Sequence, residues 1–146
     1  MRRILALARQ TIDDTSIKQK MVRTMAYVLL VDDEQSFRSV IAASLRHAGY
    51  EIGEAENGKQ CEAAVNERRP DLVILDVLMP EQDGVETLRA LRRRYPDLKI
   101  LAISGGAFDR GLDWLDIAKQ FGADAVLAKP FSNRALVAEV KRLLTT

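Results

Sequence analysis

Four consecutive apolar residues, Leu72-Val73-Ile74-Leu75, run into a carboxylate, Asp76, and Pro80 follows four positions later. A strand with one wet face alternates apolar and polar side chains. An unbroken apolar run of this length therefore belongs to a strand covered on both faces. Such strands lie inside parallel sheets, where ligands bind beyond the strands' carboxyl ends. Asp76 stands at that end.

The chain around this run alternates strand and helix. Tyr27–Val31 reads as a buried strand closed by Asp32-Asp33-Glu34, acids that can also cap the helix carrying Phe37, Ile41, Leu45 and Ala48. Gly49 stops that helix. A second strand spans Tyr50–Ala55, and Asn57-Gly58 opens a helix that runs to Arg68 and ends at Arg69-Pro70. After the Asp76 strand, Asp83-Gly84 precedes a helix with Val85, Leu88 and Leu91 inward and Arg89, Arg92, Arg93 and Arg94 toward water. Leu98–Ile103 is the fourth strand, ending at Ser104-Gly105-Gly106, and a helix from about Phe108 to Phe121 stops at Gly122. Ala125–Ala128 is the fifth strand, ending at Lys129-Pro130, before a last helix over Ser132–Leu144. Five alternations predict an α/β fold: a doubly wound, five-stranded parallel sheet with helices on both faces and right-handed crossovers.

At 146 residues the chain is expected to form one domain over residues 26–146, preceded by an N-terminal extension, residues 1–25, that is disordered or a short helix. Met21 and Met25 are alternative starts. The extension carries six basic and two acidic side chains, net +4, which leaves −3 of the overall +1 for the remainder. The single cysteine, Cys61, precludes an intrachain disulfide, and the single histidine, His47, precludes a multi-histidine metal site. With neither a signal-like nor a membrane-spanning apolar run, a cytoplasmic protein is expected. The last helix reaches Leu144, so a stand-alone module without a following DNA-binding helix-turn-helix is also expected.

The strand ends carry Asp32 and Asp33, Asp76, Ser104 and Lys129, and a parallel sheet gathers them at one edge. Three carboxylates and one ammonium sum to −2, which one divalent cation neutralises. Carboxylate oxygens without nearby histidine or thiolate favour magnesium, with manganese as the alternative. Asp76 would then stay ionised as a nucleophile toward a phosphoryl group. Lys129 and the Ser104 hydroxyl are placed to pair with phosphoryl oxygens. Val77–Leu78 and Gly105–Gly106 amides would complete the cradle.

Leu30-Val31-Asp32-Asp33-Glu34, Leu75-Asp76 with Met79-Pro80, Asp83-Gly84, Ile103-Ser104-Gly105, Gly122-Ala123 and Lys129-Pro130-Phe131, in this order and spacing, resemble the response regulator receiver domain of two-component signalling. The resemblance covers residues 26–146. It implies a flavodoxin-like sheet of order 2-1-3-4-5 and a cis Lys129–Pro130 bond. Asp76 would be the phosphoacceptor, served by a histidine kinase or histidine phosphotransfer protein. Magnesium would be held by Asp33, Asp76 and the Leu78 carbonyl, with Asp32 acting through water. Ser104 would be the switch hydroxyl and Lys129 the phosphoryl-pairing lysine. The chain would act on an unknown output protein as a monomer or phosphorylation-linked dimer, with no membrane or direct DNA contact. One departure stands out. The family often has an aromatic residue three positions before the lysine, where this chain has Val126. Output is therefore expected to use displacement of Ser104–Leu115 rather than a ring flip.

Competing readings are less economical. A phosphorylation-independent adaptor would gain nothing from mutually repelling acids. A phosphatase with an aspartyl-phosphate intermediate would need an acid two residues after Asp76, where Leu78 sits. No Gly-x-Gly-x-x-Gly follows the first strand, which argues against dinucleotide binding. His47, near a helix C-terminus, and Cys61, within a helix, read as structural. Trp114 is read as core or as a partner anchor.

Overall fold

The computed structural model describes residues 25–78, 83–105 and 114–145. The strands are β1 Tyr27–Val31, β2 Glu51–Ala55, β3 Leu72–Asp76, β4 Lys99–Ser104 and β5 Ala125–Ala128. The helices are α1 Gln35–His47, α2 Gly58–Glu67, α3 Asp83–Arg94, α4 Trp114–Gln120 and α5 Asn133–Leu144. All strands are parallel in the order β2-β1-β3-β4-β5, as expected. Residues 1–24 and 106–113, the latter including the first part of the fourth helix expected from about Phe108, lie outside the described residues. No described helix is long and apolar enough to cross a membrane.

The unbroken apolar runs have a simple cause. Alternate residues of each inner strand enter different cores. Leu29, Val31, Val73, Leu75, Ile100 and Ala102 pack against Cys61 and Val65 of α2, Leu88 and Leu91 of α3 and Ala118 of α4. Val28, Leu30, Leu72, Ile74, Leu101 and Ile103 pack against Ile41, Ala42 and Leu45 of α1 and Leu136, Val140 and Leu143 of α5. With both faces covered, no position on β3 tolerates water, and all five of its residues are buried.

Helix ends follow local chemistry in most places. Asn57 accepts a hydrogen bond from the Gln60 amide at 2.8 Å and Ser132 one from Ala135 at 3.0 Å, capping α2 and α5. Gly49 and Gly122, after α1 and α4, both take φ of 103°, a backbone conformation that glycine adopts without strain. The start of α1 departs from expectation. Its N-cap is Glu34, whose side chain makes no capping bond. Asp32 instead accepts from the Glu34 amide at 2.9 Å, tying its carboxylate to the loop.

The arginine cluster of α3 is also not uniformly solvated. Arg92 donates to the carbonyls of Gly122, Pro96 and Leu98 and to the Asp124 carboxylate, at 2.7–3.0 Å. It ties the end of α3 to the turns entering β4 and β5, a role for which a planar five-donor group is suited. Arg89 and Arg93 are exposed, as expected.

At the other end of α3, Gly84 lies so close to β3 that a Cβ there would come within 2.4 Å of the Asp76 carbonyl oxygen and the Val77 Cα. This contact sets how closely α3 approaches the end of the Asp76 strand. Gly84→Ala is expected to cost about 1–3 kcal/mol of unfolding free energy, the usual range for overpacking, measured by urea denaturation. Gly105→Ala serves as the control, because its Cβ would only reach ordinary contact with the Lys129 stem at 3.4 Å.

Candidate functional site

Strands β1, β3, β4 and β5 all end at one edge of the sheet, bringing Asp32, Asp76, Ser104 and Lys129 together. Asp32 and Ser104 are fully buried and Asp76 is 4% exposed. Lys129 Nζ donates to Asp32 Oδ2 at 2.9 Å and to Asp76 Oδ2 at 3.3 Å, closing a contact across 97 residues of sequence. The other Asp76 oxygen, Oδ1, accepts from the Leu78 amide at 2.9 Å. Asp33, adjoining Asp32, remains exposed. One oxygen each from Asp32, Asp33 and Asp76 lie within 4.8 Å of one another. The expected cis Lys129–Pro130 bond is present. The Lys129 amide donates to the Ser104 carbonyl at 2.9 Å, joining the ends of β4 and β5.

The model of the response regulator receiver domain matches residues 28–141. The chain belongs to this family. Receiver domains are phosphoacceptor signalling modules of two-component systems rather than turnover enzymes. This receiver domain is 41% identical over 120 residues to the phosphate regulon transcriptional regulatory protein PhoB of Pseudomonas aeruginosa; the match covers 80% of this chain and 51% of that protein, so the chain spans about half of that relative's length. Among solved structures, the receiver domain of NtrX from Brucella abortus is 31% identical, with a TM-score of 0.75, over 82% of this chain and 98% of that one. The chemotaxis response regulator CheY4 of Vibrio cholerae is 34% identical, with a TM-score of 0.72, over 82% of this chain and 99% of that one.

The Asp76 carboxyl is placed against its own ionisation. Burial pushes the Asp76 carboxyl up; the Leu78 amide pulls it down, the Asp32 charge adds to the rise and Lys129 opposes it, leaving it at about 6. Burial alone would lower the Lys129 pKa. The hydrogen bond to Asp32 and the charges of Asp76 and Asp32 outweigh that penalty and hold it above its ordinary value. The donor set suits a hard divalent cation: three carboxylates in mutual reach, two of them buried, with the half-buried Leu78 backbone beside them. Such an ion would relieve the repulsion that one ammonium leaves in place.

Two neighbours of the site escaped the sequence reading. Arg38 is 9% exposed and donates to the Asp32 carbonyl at 2.7 Å and to Glu54 at 3.0 Å, fixing the β1–α1 turn from beneath. Its signal was an arginine three, four and seven residues before the buried Ile41, Ala42 and Leu45, on their side of the helix. Phe37 lies under Lys129, with Nζ 3.9 Å from the ring centroid; its helical spacing suggested only core. Cys61 is buried, as expected, and burial pushes its thiol up to about 12, consistent with packing rather than reactivity. The Trp114 side chain lies outside the described residues.

A carboxyl whose folded pKa lies above its unfolded value holds its proton longer in the folded chain. Stability is then fully present below the unfolded pKa and is lost as pH rises from about 4 through about 6. Without divalent cations, Asp76→Asn should therefore be more stable than the parent at pH 7.5, by about 2–3 kcal/mol. The gain should shrink toward zero at pH 4, read from urea unfolding in chelator at both pH values.

Proposed function

We propose that this receiver accepts a phosphoryl group on Asp76 from a phosphohistidine of a histidine kinase or histidine phosphotransfer protein, in a magnesium-dependent reaction. The observation that carries the reading is the convergence of three carboxylates in mutual reach with an ammonium hydrogen-bonded to two of them. In the transfer, an Asp76 oxygen forms a bond to phosphorus as the phosphorus–nitrogen bond breaks. The imidazole leaves with the electron pair. Asp33, Asp76 and the Leu78 carbonyl would hold magnesium (or manganese) directly, with Asp32 acting through water. The ion's contribution when bound is to neutralise charge on the carboxylates and on the transferring oxygens.

The chain's own groups supply the rest. Lys129 pairs with one phosphoryl oxygen, replacing its contact with Asp76, and Ser104 donates to another. No acid stands two residues beyond Asp76, where Leu78 sits. The acyl phosphate therefore persists as a signal, with only slow self-catalysed loss.

Output is proposed to pass through phosphorylation-dependent contact with another protein, or onward relay to a histidine, without DNA contact by these residues. The proposal concerns the receiver module, since the match covers only 51% of a relative that is a transcriptional regulatory protein. Val126 is half-buried and packs into the core between the sheet and α2, α3 and α4. Transmission is therefore assigned to movement over Ser104–Leu115 rather than to a flipping ring at that position. Most of that segment lies outside the described residues.

The expected result with acetyl phosphate and magnesium is a phosphoryl group that is stable in acid and released by base or hydroxylamine. Chelation abolishes labelling, as does Asp76→Asn, and Lys129→Ala slows it by about 10²-fold or more, the usual effect of removing one preorganised charge partner. A wild-type chain that is never labelled by acetyl phosphate or a cognate kinase would overturn the reading. Partner affinity and output unchanged in Asp76→Ala would favour the adaptor.

A further inference from the structure

Lys129 is seated by more than its two carboxylates. Its ammonium nitrogen is 3.9 Å from the centroid of the Phe37 ring. Phe37 in turn meets Phe131 edge-on, with centroids 5.9 Å apart and planes at 76°. An aromatic face carries negative charge density, so it attracts a cation that a similarly sized aliphatic side chain would merely touch. The Lys129 side chain is 19% exposed, and this attraction is strongest where water is excluded. The edge-on contact with Phe131 fixes the plane of the Phe37 ring. The ring, in turn, restricts where the ammonium can sit.

The two carboxylates alone would not do this. A lysine stem has four rotatable carbon–carbon bonds, and a point charge can approach a carboxylate pair from many directions. Asp32 and Asp76 attract Nζ toward their shared side, and the Phe37 face bounds it on another. We propose that Phe37 is a positioning residue for phosphoryl transfer, holding the Lys129 ammonium over the carboxylate pair before the phosphoryl group arrives. This rests on the phosphoacceptor reading of Asp76. A group seated in advance loses no further rotamer freedom when it engages the transferring oxygens.

The test is a double-mutant cycle on the rate of phosphorylation by acetyl phosphate with magnesium. Phe37→Leu should slow labelling about three- to thirtyfold, the range of a cation–π contact from exposed to dry surroundings. Phe37→Tyr, which keeps the ring face, should stay within about twofold. In a Lys129→Ala background, Phe37→Leu should cause no further loss, because the group it positions is gone. Equal slowing in both backgrounds would assign the effect to packing of α1 and overturn the proposal, as would a Phe37→Tyr variant as slow as Phe37→Leu. An independent measurement reads the contact without phosphorylation. The Lys129 ε-methylene protons should be shifted upfield by the ring in the parent and in Phe37→Tyr, and not in Phe37→Leu. An unshifted ε-methylene in the parent refutes the seat itself. A shifted one in a chain that is never labelled refutes the phosphoacceptor reading, and the positioning role with it.

Discussion

Two carboxylates buried at the edge of a sheet share one ammonium, and the rest of the structure is arranged to make that tolerable. Removing an ionised carboxylate from water is costly unless it is paired and hydrogen-bonded. Asp32 has Lys129 and the Glu34 amide; Asp76 has Lys129 and the Leu78 amide. Even so the charges do not balance, and the Asp76 carboxyl is held well above its ordinary range. The site is thus a place of electrostatic tension, which a divalent cation held by these carboxylates would relieve.

That tension can be sustained because what surrounds it is rigid. The sheet buries its inner strands in two cores, so the strand ends cannot drift relative to one another. Gly84 lets α3 close against the end of β3, and Arg38 fastens the turn that carries Asp32. Arg92 joins the end of α3 to the two turns that enter β4 and β5, at the opposite end of the sheet. Each of these contacts lies away from the reacting atoms and serves to hold geometry. The backbone that carries the site is thereby held in place in advance.

Much of this was legible in the chain. Apolar runs closed by acids located β1 and β3, and the alternation of elements implied a parallel sheet whose strand ends would meet. Resemblance to receiver domains supplied the strand order that the structure then displayed. Other features left a misleading trace. Asp32 and Asp33 resemble helix caps, yet Asp32 binds the loop amide of Glu34, because β1 presents its carboxylate inward before the helix begins. Four arginines on α3 look equally solvated, but Arg92 donates to backbone carbonyls of chain segments 4 to 30 residues away. Phe37 has the spacing of a core residue and sits beneath an ammonium 92 positions later.

The sequence by itself determined which residues could be strands and helices, and which polar groups would stand at strand ends, because apolar periodicity and turn residues act over a few positions. Tertiary structure decided how those ends face one another: that Lys129 reaches both Asp32 and Asp76, that Asp33 stays exposed while Asp32 is buried, and that an aromatic ring lies under the lysine. The physical reason is range. Backbone preferences are local, whereas the energy of a charge depends on every group within a few ångströms, and folding alone determines which groups those are.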